Sequence, residues 1–448
     1  MSAPFLLMDE NRARPARARL FVKPSDWIVA EAAGDVPRAL RRAEAALRDD
    51  RYVAGAFAYE LGYALEPKLA ALMPHEHDGP LLSLGIFDAP EELGGDAIDA
   101  WLAREAGAYA VGDLHPAWSE AQYAERFAQV REAIAAGEVY QINLTFPARF
   151  AFEGSAAAFY RDLRAKARAG HAAFLRTPER TILSLSPELF LRIEKDRIAT
   201  RPMKGTVRRE PGAAEDRAAA AALVADEKQR AENLMIVDLL RNDLARVSVP
   251  GSVRVDDLFT VETYPTLHTM TSGVSALLRD GATLSDILRA VFPCGSVTGA
   301  PKIRAMELIR ALEEGPRGPY CGAIGWFGPK GDAHLNVAIR TIALNGGEGR
   351  MGIGSGVVFD SNAEAEYAEC LLKARFVTAR HEPFALIETM RWTEREGFHL
   401  LARHLDGIEP NTNVDTVPRE AFAEARASMA SRGGDAFFCK TLVHSVPE

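Results

Sequence analysis

Lys204 stands in the run Arg201-Pro202-Met203-Lys204-Gly205-Thr206, just after a strand-like hairpin. A lysine there is either a solvated surface cation or, where burial lowers its pKa from about 10.4, a neutral amine able to attack carbon. Glu188, in Ser186-Pro187-Glu188-Leu189-Phe190, lies on the preceding arm of that hairpin. A three-residue loop at Lys195–Arg197 would pair Glu194 with Ile198. That register sets Glu188 opposite Lys204 on one face, with β-carbons about 5 Å apart. A two- or four-residue loop would put the two on opposite faces. An acid beside a lysine is a plain ion pair, or a general acid serving the chemistry of the amine.

Further acids recur at helical spacing. Gln229 and Glu232 share a face of the segment Asp226–Asp243, and Glu366, Glu369 and Lys373 share a face of Ser361–Lys373 at i, i+3 and i+7. Taken singly, each is an ordinary solvated helix face. Turned toward each other with no built-in cation, such faces suit Mg²⁺, which keeps waters and takes one or two protein carboxylates plus substrate oxygens. The run from Phe292 to Lys302, holding Ser296 and Thr298, reads as a Gly-rich turn into a helix N-terminus, which can hold a carboxylate through backbone N–H groups. Arg340, ending the strand-like run from His334, has the fork geometry for a bidentate carboxylate clamp. Gly354 would let the backbone approach a ligand closely.

The elements that must position these residues are legible in outline. Ser119 followed by Gln122 reads as a capping box opening a helix that ends at Gly137. Val139 to Phe150 reads as a strand, 156–169 as a helix, and Thr181 to Thr200 as a hairpin in which Leu189, Leu191 and Ile193 alternate with polar neighbours. Helices are expected over 213–246, 283–292, 301–314 and Glu364 to Arg380, and strands over Ala323 to Leu344 and Gly349 to Val358. Tyr52 to Tyr63 is a Gly/aromatic strand candidate, and Ala89 to Ala110 an acidic helix or linker. Hairpin strands separated by helices indicate an α+β fold with mainly antiparallel sheet.

The chain has 448 residues, 48% hydrophobic and 26% charged, a globular composition. A net charge of -9 argues against nucleic-acid binding, which needs clustered cations. Four cysteines lie far apart with no CxxC pair, which fits a reducing compartment and opposes a zinc site or disulfide frame. The N-terminus lacks a basic lead, and no run of about 18 apolar residues occurs, so neither a signal peptide nor a membrane span is expected. The expected location is the cytoplasm.

Arg201-Pro202-x-x-Gly205-Thr206 resembles the Arg-Pro-x-x-Gly-Thr signature of the chorismate-utilising enzymes, the family that includes anthranilate, isochorismate and salicylate synthases. Six separated motifs carry the likeness in the right order over about residues 119–380. The resemblance implies a sandwich of two mainly antiparallel sheets with outer helices, completed by residues 1–115, with a catalytic domain over 116–380. It also implies that Glu232 and Glu369 contact Mg²⁺, with Glu366 acting through water or orienting the site, and that Lys204 and Glu188 are catalytic. Gln229 departs from the Asp or Glu frequent at its position. Ser296 and Thr298 stand where the family has Thr and Ser. Tyr320 and Arg340 recur at the family's spacing, and His268, Gly354 and Lys373 fall among the substrate-facing positions.

Within the family, a lysine before Gly-Thr resembles the branch that aminates chorismate to 4-amino-4-deoxychorismate, whereas anthranilate-forming members usually carry alanine. The segment from Gly137 to Thr145, holding Gln141 and Asn143, supports the same branch. Members that add water have a lysine base where Gln141 stands, and glutamine cannot accept a proton near pH 7. Ammonia is already a nucleophile. The chain lacks the Gly-x-Cys-x-Gly elbow of class I glutamine amidotransferases, so the resemblance implies ammonia from a separate glutamine amidotransferase subunit. The alternatives are the anthranilate-forming branch, opposed by Lys204; an isochorismate- or salicylate-forming member, opposed by Gln141; and a non-catalytic ligand-binding subunit, opposed by the intact constellation. Residues 381–448 change character: 383–390 and 399–405 resemble the opening of aminodeoxychorismate lyase, a pyridoxal-phosphate enzyme. They are too short for that enzyme and read as a non-catalytic remnant.

Overall fold

The computed structural model describes residues 3–13, 15–105, 107–264 and 267–378, and the strands Ala385–Thr393, Gly397–Phe398 and Ala436–Val443. Residues Met1–Thr378 form one compact unit and Ala379–Glu448 a second. In the second, the three strands make one antiparallel sheet with Ala385–Thr393 in the middle. The lyase-like run 399–405 lies outside the described residues.

The first unit is built on two sheets, one of eleven strands and one of ten, in which every described pairing is antiparallel. The fold is α+β, as the hairpin-rich sequence predicts. Gln141–Gly154 runs the length of the larger sheet and pairs with Glu348–Val357 from Ile142↔Val357 to Ala151↔Glu348. Its inner half is buried at every position but Pro147, while its outer half alternates. Residues 1–115 enter both sheets: Phe5–Glu10 pairs with Ala172–Arg176, and Tyr52–Phe57 pairs with Ala323–Phe327. No helix among the described residues is long and apolar enough to cross a membrane.

Local signals set several boundaries. The Ser119 hydroxyl accepts from Gln122 N while the Gln122 side chain accepts from Ser119 N, and the helix Glu120–Ala135 starts there. The expected single helix over 213–246 is two, Ala213–Ala225 and Glu227–Ala245. Asp226 between them is extended, with φ -67° and ψ 110°, and its carboxylate accepts from Gln229 N at 3.0 Å. The stretch expected as one strand over 323–344 is three, broken by the turn at Gly328–Asp332 and again before Thr341–Asn345. Tyr52 to Tyr63 is a strand only to Phe57, followed by a short helix Leu61–Leu65.

One buried cation ties these parts together. Arg317 donates to both carboxylate oxygens of Glu313 at 2.6 and 2.8 Å, to the Val297 carbonyl at 2.8 Å and to the Asn143 carbonyl at 2.7 Å. Its guanidinium lies 4.3 Å from the centre of the Tyr59 ring. Glu313 accepts in addition from Thr145 N and Oγ1. The pair therefore fixes the start of Gln141–Gly154 against the Gly-rich turn. Removing one member of such a pair leaves the other charge buried and alone. Arg317→Met is expected to lower unfolding stability by about 3–5 kcal/mol. Urea unfolding checks it, and a loss below ~1 kcal/mol would show that the network is dispensable.

Candidate active site

Lys204 lies on Met203–Arg208, a strand stub that pairs with Leu267–Leu277 alone. Pro202, which has no N–H to donate, interrupts the ladder between Arg197–Arg201 and this stub. Gly205, at φ +83°, takes a left-handed conformation that glycine adopts without strain, and a Cβ there would sit 2.8 Å from Gln229 Oε1. The Lys204 side chain keeps some surface along the cleft, but protein surrounds its ammonium. A Cβ on Gly356 would lie 2.8 Å from Lys204 Nζ and 3.2 Å from Gln141 Nε2. The bare glycine is thus what admits the amine. Burial pushes the Lys204 pKa down, against the upward pull of Glu232, Glu188 and Glu369. Lysines Lys302 and Lys373 close ion pairs, with Asp243 and Glu369, but Lys204 closes none among the described residues.

Glu188 is only 3% exposed. Its backbone is pinned on both sides: Glu188 N donates to Ser186 Oγ at 3.2 Å, Val337 N to the Glu188 carbonyl at 3.1 Å, and the Tyr264 hydroxyl to the Pro187 carbonyl at 3.3 Å. Burial raises its pKa to about 7, against a hydrogen bond from Ser296 and the charge of Lys204. Oε1 is buried with no partner. The expected hairpin register is corrected. The turn is two residues, Lys195-Asp196, with Glu194 opposite Arg197 and Lys195 at φ 60°. A bulge between Leu189 and Arg192 then shifts the pairing so that Leu189 meets Arg201. Glu188 and Lys204 are therefore not cross-strand partners. They come within electrostatic reach through the bulge and the break at Pro202.

Gln141 is fully buried, and neither its Oε1 nor its Nε2 has a partner. An unpaired amide in a protein interior costs roughly 1–3 kcal/mol, so Gln141, beside the Lys204 amine, has hydrogen-bonding capacity that the described residues leave unused. Cavity size gives no such pointer: a surface hollow of about 410 Å³ beside Glu105 and Arg176 adjoins Gly154, at the other end of the strand from Gln141, roughly 40 Å away.

Glu232, on Glu227–Ala245, and Glu366 and Glu369, on Ala363–Thr378, sense one another. Burial raises the Glu232 pKa first, and the charges of Glu366 and Glu369 raise it further against Lys204 and Lys228. Glu366 accepts from Ser361 Oγ at 2.7 Å, and Glu369 meets Lys373 Nζ at 2.7 Å. Among the described residues no group of three or more His, Cys, Asp or Glu side chains is placed to hold a metal ion, this trio included. Acids on two helices could supply one or two carboxylates to a cation that keeps most of its waters.

Arg340 lies after its strand rather than in it: Ala333–Val337 ends earlier, and Arg340 takes φ +48°. Burial depresses its pKa, and among the described residues its guanidinium has no carboxylate partner. A guanidinium without a carboxylate partner keeps its donors free for one. The Tyr320 ring packs over Gly352, where a Cβ would lie 2.0 Å away. Lys373 Nζ donates to the Gly354 carbonyl at 2.9 Å. Other expected residues are engaged within the protein. His268 holds Asp216 through Nε2 at 2.9 Å and Thr263 through Nδ1 at 3.0 Å. Thr298 Oγ1 donates to the carbonyls of Cys294 and Gly295, and Asn143 Nδ2 to that of Val297.

Asn233 was not foreseen. It is fully buried, accepts from Ser272 Oγ at 2.6 Å, and leaves Nδ2 unpartnered. Its spacing to the apolar positions Ile236, Val237, Leu240 and Leu244 put it on the inward face of the helix, a signal available in the sequence.

Comparison with known proteins supplies family context. The family described as chorismate binding enzyme matches residues 4–379. Aminodeoxychorismate synthase component 1 of Salmonella typhimurium is 45% identical over 260 residues, 57% of each chain. The protein of that name from Klebsiella aerogenes is 39% identical over 333 residues, 70% of this chain and 74% of its own. Anthranilate synthase component 1 of Methanothermobacter marburgensis is 42% identical over 257 residues, 57% of this chain and 56% of its own. The match thus spans little more than half the length of the Salmonella relative. Among solved structures, anthranilate synthase component I of Streptococcus pneumoniae superposes with a TM-score of 0.70 at 25% identity, covering 85% of this chain and 93% of that one. The menaquinone-specific isochorismate synthase of Escherichia coli gives 0.66 at 18%, covering 84% and 88%.

The Glu188 environment makes a stability prediction. A carboxyl raised from 4.5 to about 7 by burial destabilises the fold wherever it must ionise. The penalty is absent below the unfolded value and complete above the folded one. Relative to Glu188→Gln, the native chain should lose stability on the order of 3 kcal/mol as pH rises from about 4.5 to about 7. Denaturant melts of both proteins across that range test it, and parallel curves would refute the raised pKa.

Proposed function

Because the chain belongs to the chorismate-binding enzyme family, we propose that it aminates chorismate at C4, giving 4-amino-4-deoxychorismate, the precursor of para-aminobenzoate and folate. The observation that carries this reading is the desolvated Lys204 amine, unpaired, beside a buried carboxyl that can hold a proton near neutral pH. Names of relatives such as aminodeoxychorismate synthase component 1 support it.

Burial favours the neutral amine of Lys204, which attacks C2 of the cyclohexadiene ring. Both conjugated ring double bonds shift by one position, the C4–O bond breaks, and Glu188 delivers its proton to the departing hydroxyl, which leaves as water. Ammonia then bonds to C4, both double bonds shift back, the C2–Nζ bond breaks as Lys204 leaves with its electron pair, and the ionised Glu188 takes the surplus proton from the new ammonium. Two displacements replace one difficult substitution. Gln141 keeps water idle, since an amide cannot deprotonate it. Arg340 would clamp a substrate carboxylate, with the Gly-rich turn at Ser296 offering backbone donors nearby. Glu232 and Glu369, with Glu366 behind, would hold Mg²⁺, which when bound neutralises a substrate carboxylate. Ammonia is supplied by a separate glutamine amidotransferase subunit.

Incubation with chorismate, Mg²⁺ and ammonium, followed by mass analysis, is expected to yield aminodeoxychorismate. Anthranilate or isochorismate would select a different branch, and unchanged chorismate a binding protein. Lys204→Ala should reduce product formation by at least about three orders of magnitude, and unchanged turnover would eliminate the covalent scheme.

A further inference from the structure

Two segments cross from one sheet to the other side by side. Thr181–Ser184 pairs with Thr341–Asn345 in the eleven-stranded sheet, and Leu189–Glu194 pairs with Ala333–Val337 in the ten-stranded one. The register is the same on both sides of the crossing, Ser184↔Thr341 before it and Leu189↔Asn336 after it. Glu188 therefore lies opposite Val337, and Leu185 opposite Arg340. Leu185 N donates to the Arg340 carbonyl at 3.0 Å. The acid and the clamp of the proposed reaction both stand in this crossing.

Bonded neighbours in an antiparallel ladder exchange two hydrogen bonds, each N–H going to the other's carbonyl. Glu188 and Val337 exchange one directly: Val337 N donates to the Glu188 carbonyl at 3.1 Å. A side chain stands in the place of the other. Glu188 N donates to Ser186 Oγ at 3.2 Å, and Ser186 Oγ donates to the Val337 carbonyl at 2.6 Å. A hydroxyl has a single proton to give. The Glu188 carbonyl lies 3.3 Å from the same oxygen, but it is already served by Val337 N, and the shorter contact takes the proton.

Ser186 is fully buried, and its own carbonyl accepts from His171 N at 3.1 Å. Pro187 has no N–H to give the ladder, and its carbonyl accepts from the Tyr264 hydroxyl at 3.3 Å. With its carbonyl bonded directly and its N–H held off through the hydroxyl, Glu188 is splayed from the ladder on its N-terminal side. Lys204, Ser296 and the Met203 N–H act on the Glu188 carboxyl, whereas the Ser186 hydroxyl acts on the backbone that carries it.

We propose that Ser186 is a positioning residue: its hydroxyl, inserted between the Glu188 N–H and the Val337 carbonyl, sets where the Glu188 carboxyl reaches. The catalytic consequence rests on the reading of Glu188 as general acid.

Crystal structures of the full chain, native and Ser186→Ala, test the geometry. Without the hydroxyl, Glu188 N is expected to close on the Val337 carbonyl at about 3 Å, drawing the carboxyl with it. A Glu188 that keeps its native place overturns the proposal. Turnover of chorismate with Mg²⁺ and ammonium tests the consequence. Ser186→Ala should lower kcat at least about tenfold and leave KM for chorismate within about twofold, because Arg340 keeps its own bond to Leu185 N. Ser186→Thr, which retains the hydroxyl, should recover most of the loss. A native kcat in Ser186→Ala, a fall in kcat matched by a rise in KM, or a folded threonine variant as slow as the alanine one also overturns it. Should Glu188→Gln aminate at the native rate, the general-acid reading falls, and the crystal comparison alone decides the role of Ser186.

Discussion

The site is organised by one electrostatic constraint: an amine and a carboxyl are both taken out of water and not allowed to neutralise each other. A closed ion pair would hold Lys204 protonated and Glu188 ionised, the wrong state of each for the proposed attack and proton delivery. The structure separates them by turning the hairpin in two residues and bulging it at Leu189–Arg192. Each group then meets burial as its largest influence, which pushes the amine down and the acid up. Besides Glu188, the acids that pull on Lys204 are Glu232 and Glu369, on helices outside the sheet.

Around this pair the fold places a glycine and an amide. Gly356 is open where a side chain would strike Nζ, and Gln141 contributes an amide with no hydrogen-bond partner among the described residues. Both lie where Gln141–Gly154 begins and Glu348–Val357 ends, a corner fixed by the Arg317–Glu313 pair. Stability and function meet there: the buried ion pair sets the position of a strand end, and the strand end sets the wall of the cleft.

What the sequence disclosed depended on how local the cause was. The capping box at Ser119 needs four residues and was legible in full. The glutamates at helical spacing were legible as faces, though the extended Asp226 that splits the first helical stretch was not, since the sequence there has no glycine or proline. The hairpin register was misjudged, because a bulge is decided by pairing with Ala333–Val337 on the far side as well as by the turn. Arg340 was read as a carboxylate clamp, but its left-handed backbone and its lack of a carboxylate partner among the described residues follow from tertiary packing alone. For His268 and Thr298 the reverse holds: their chemistry suggested ligand contact, while the structure engages them within the protein.

The interleaving of the first hundred residues has a consequence for how this chain is made. Phe5–Glu10 finds its inner neighbour only at Ala172–Arg176, and Tyr52–Phe57 only at Ala323–Phe327. On the ribosome, the early hairpins must therefore wait for most of the polypeptide before either sheet can close. Such long-range closure is slow and leaves apolar strand edges bare in the meantime. The nascent protein is thus a natural client for holding chaperones, and truncation from the C-terminal side would strand its opening segment without a partner.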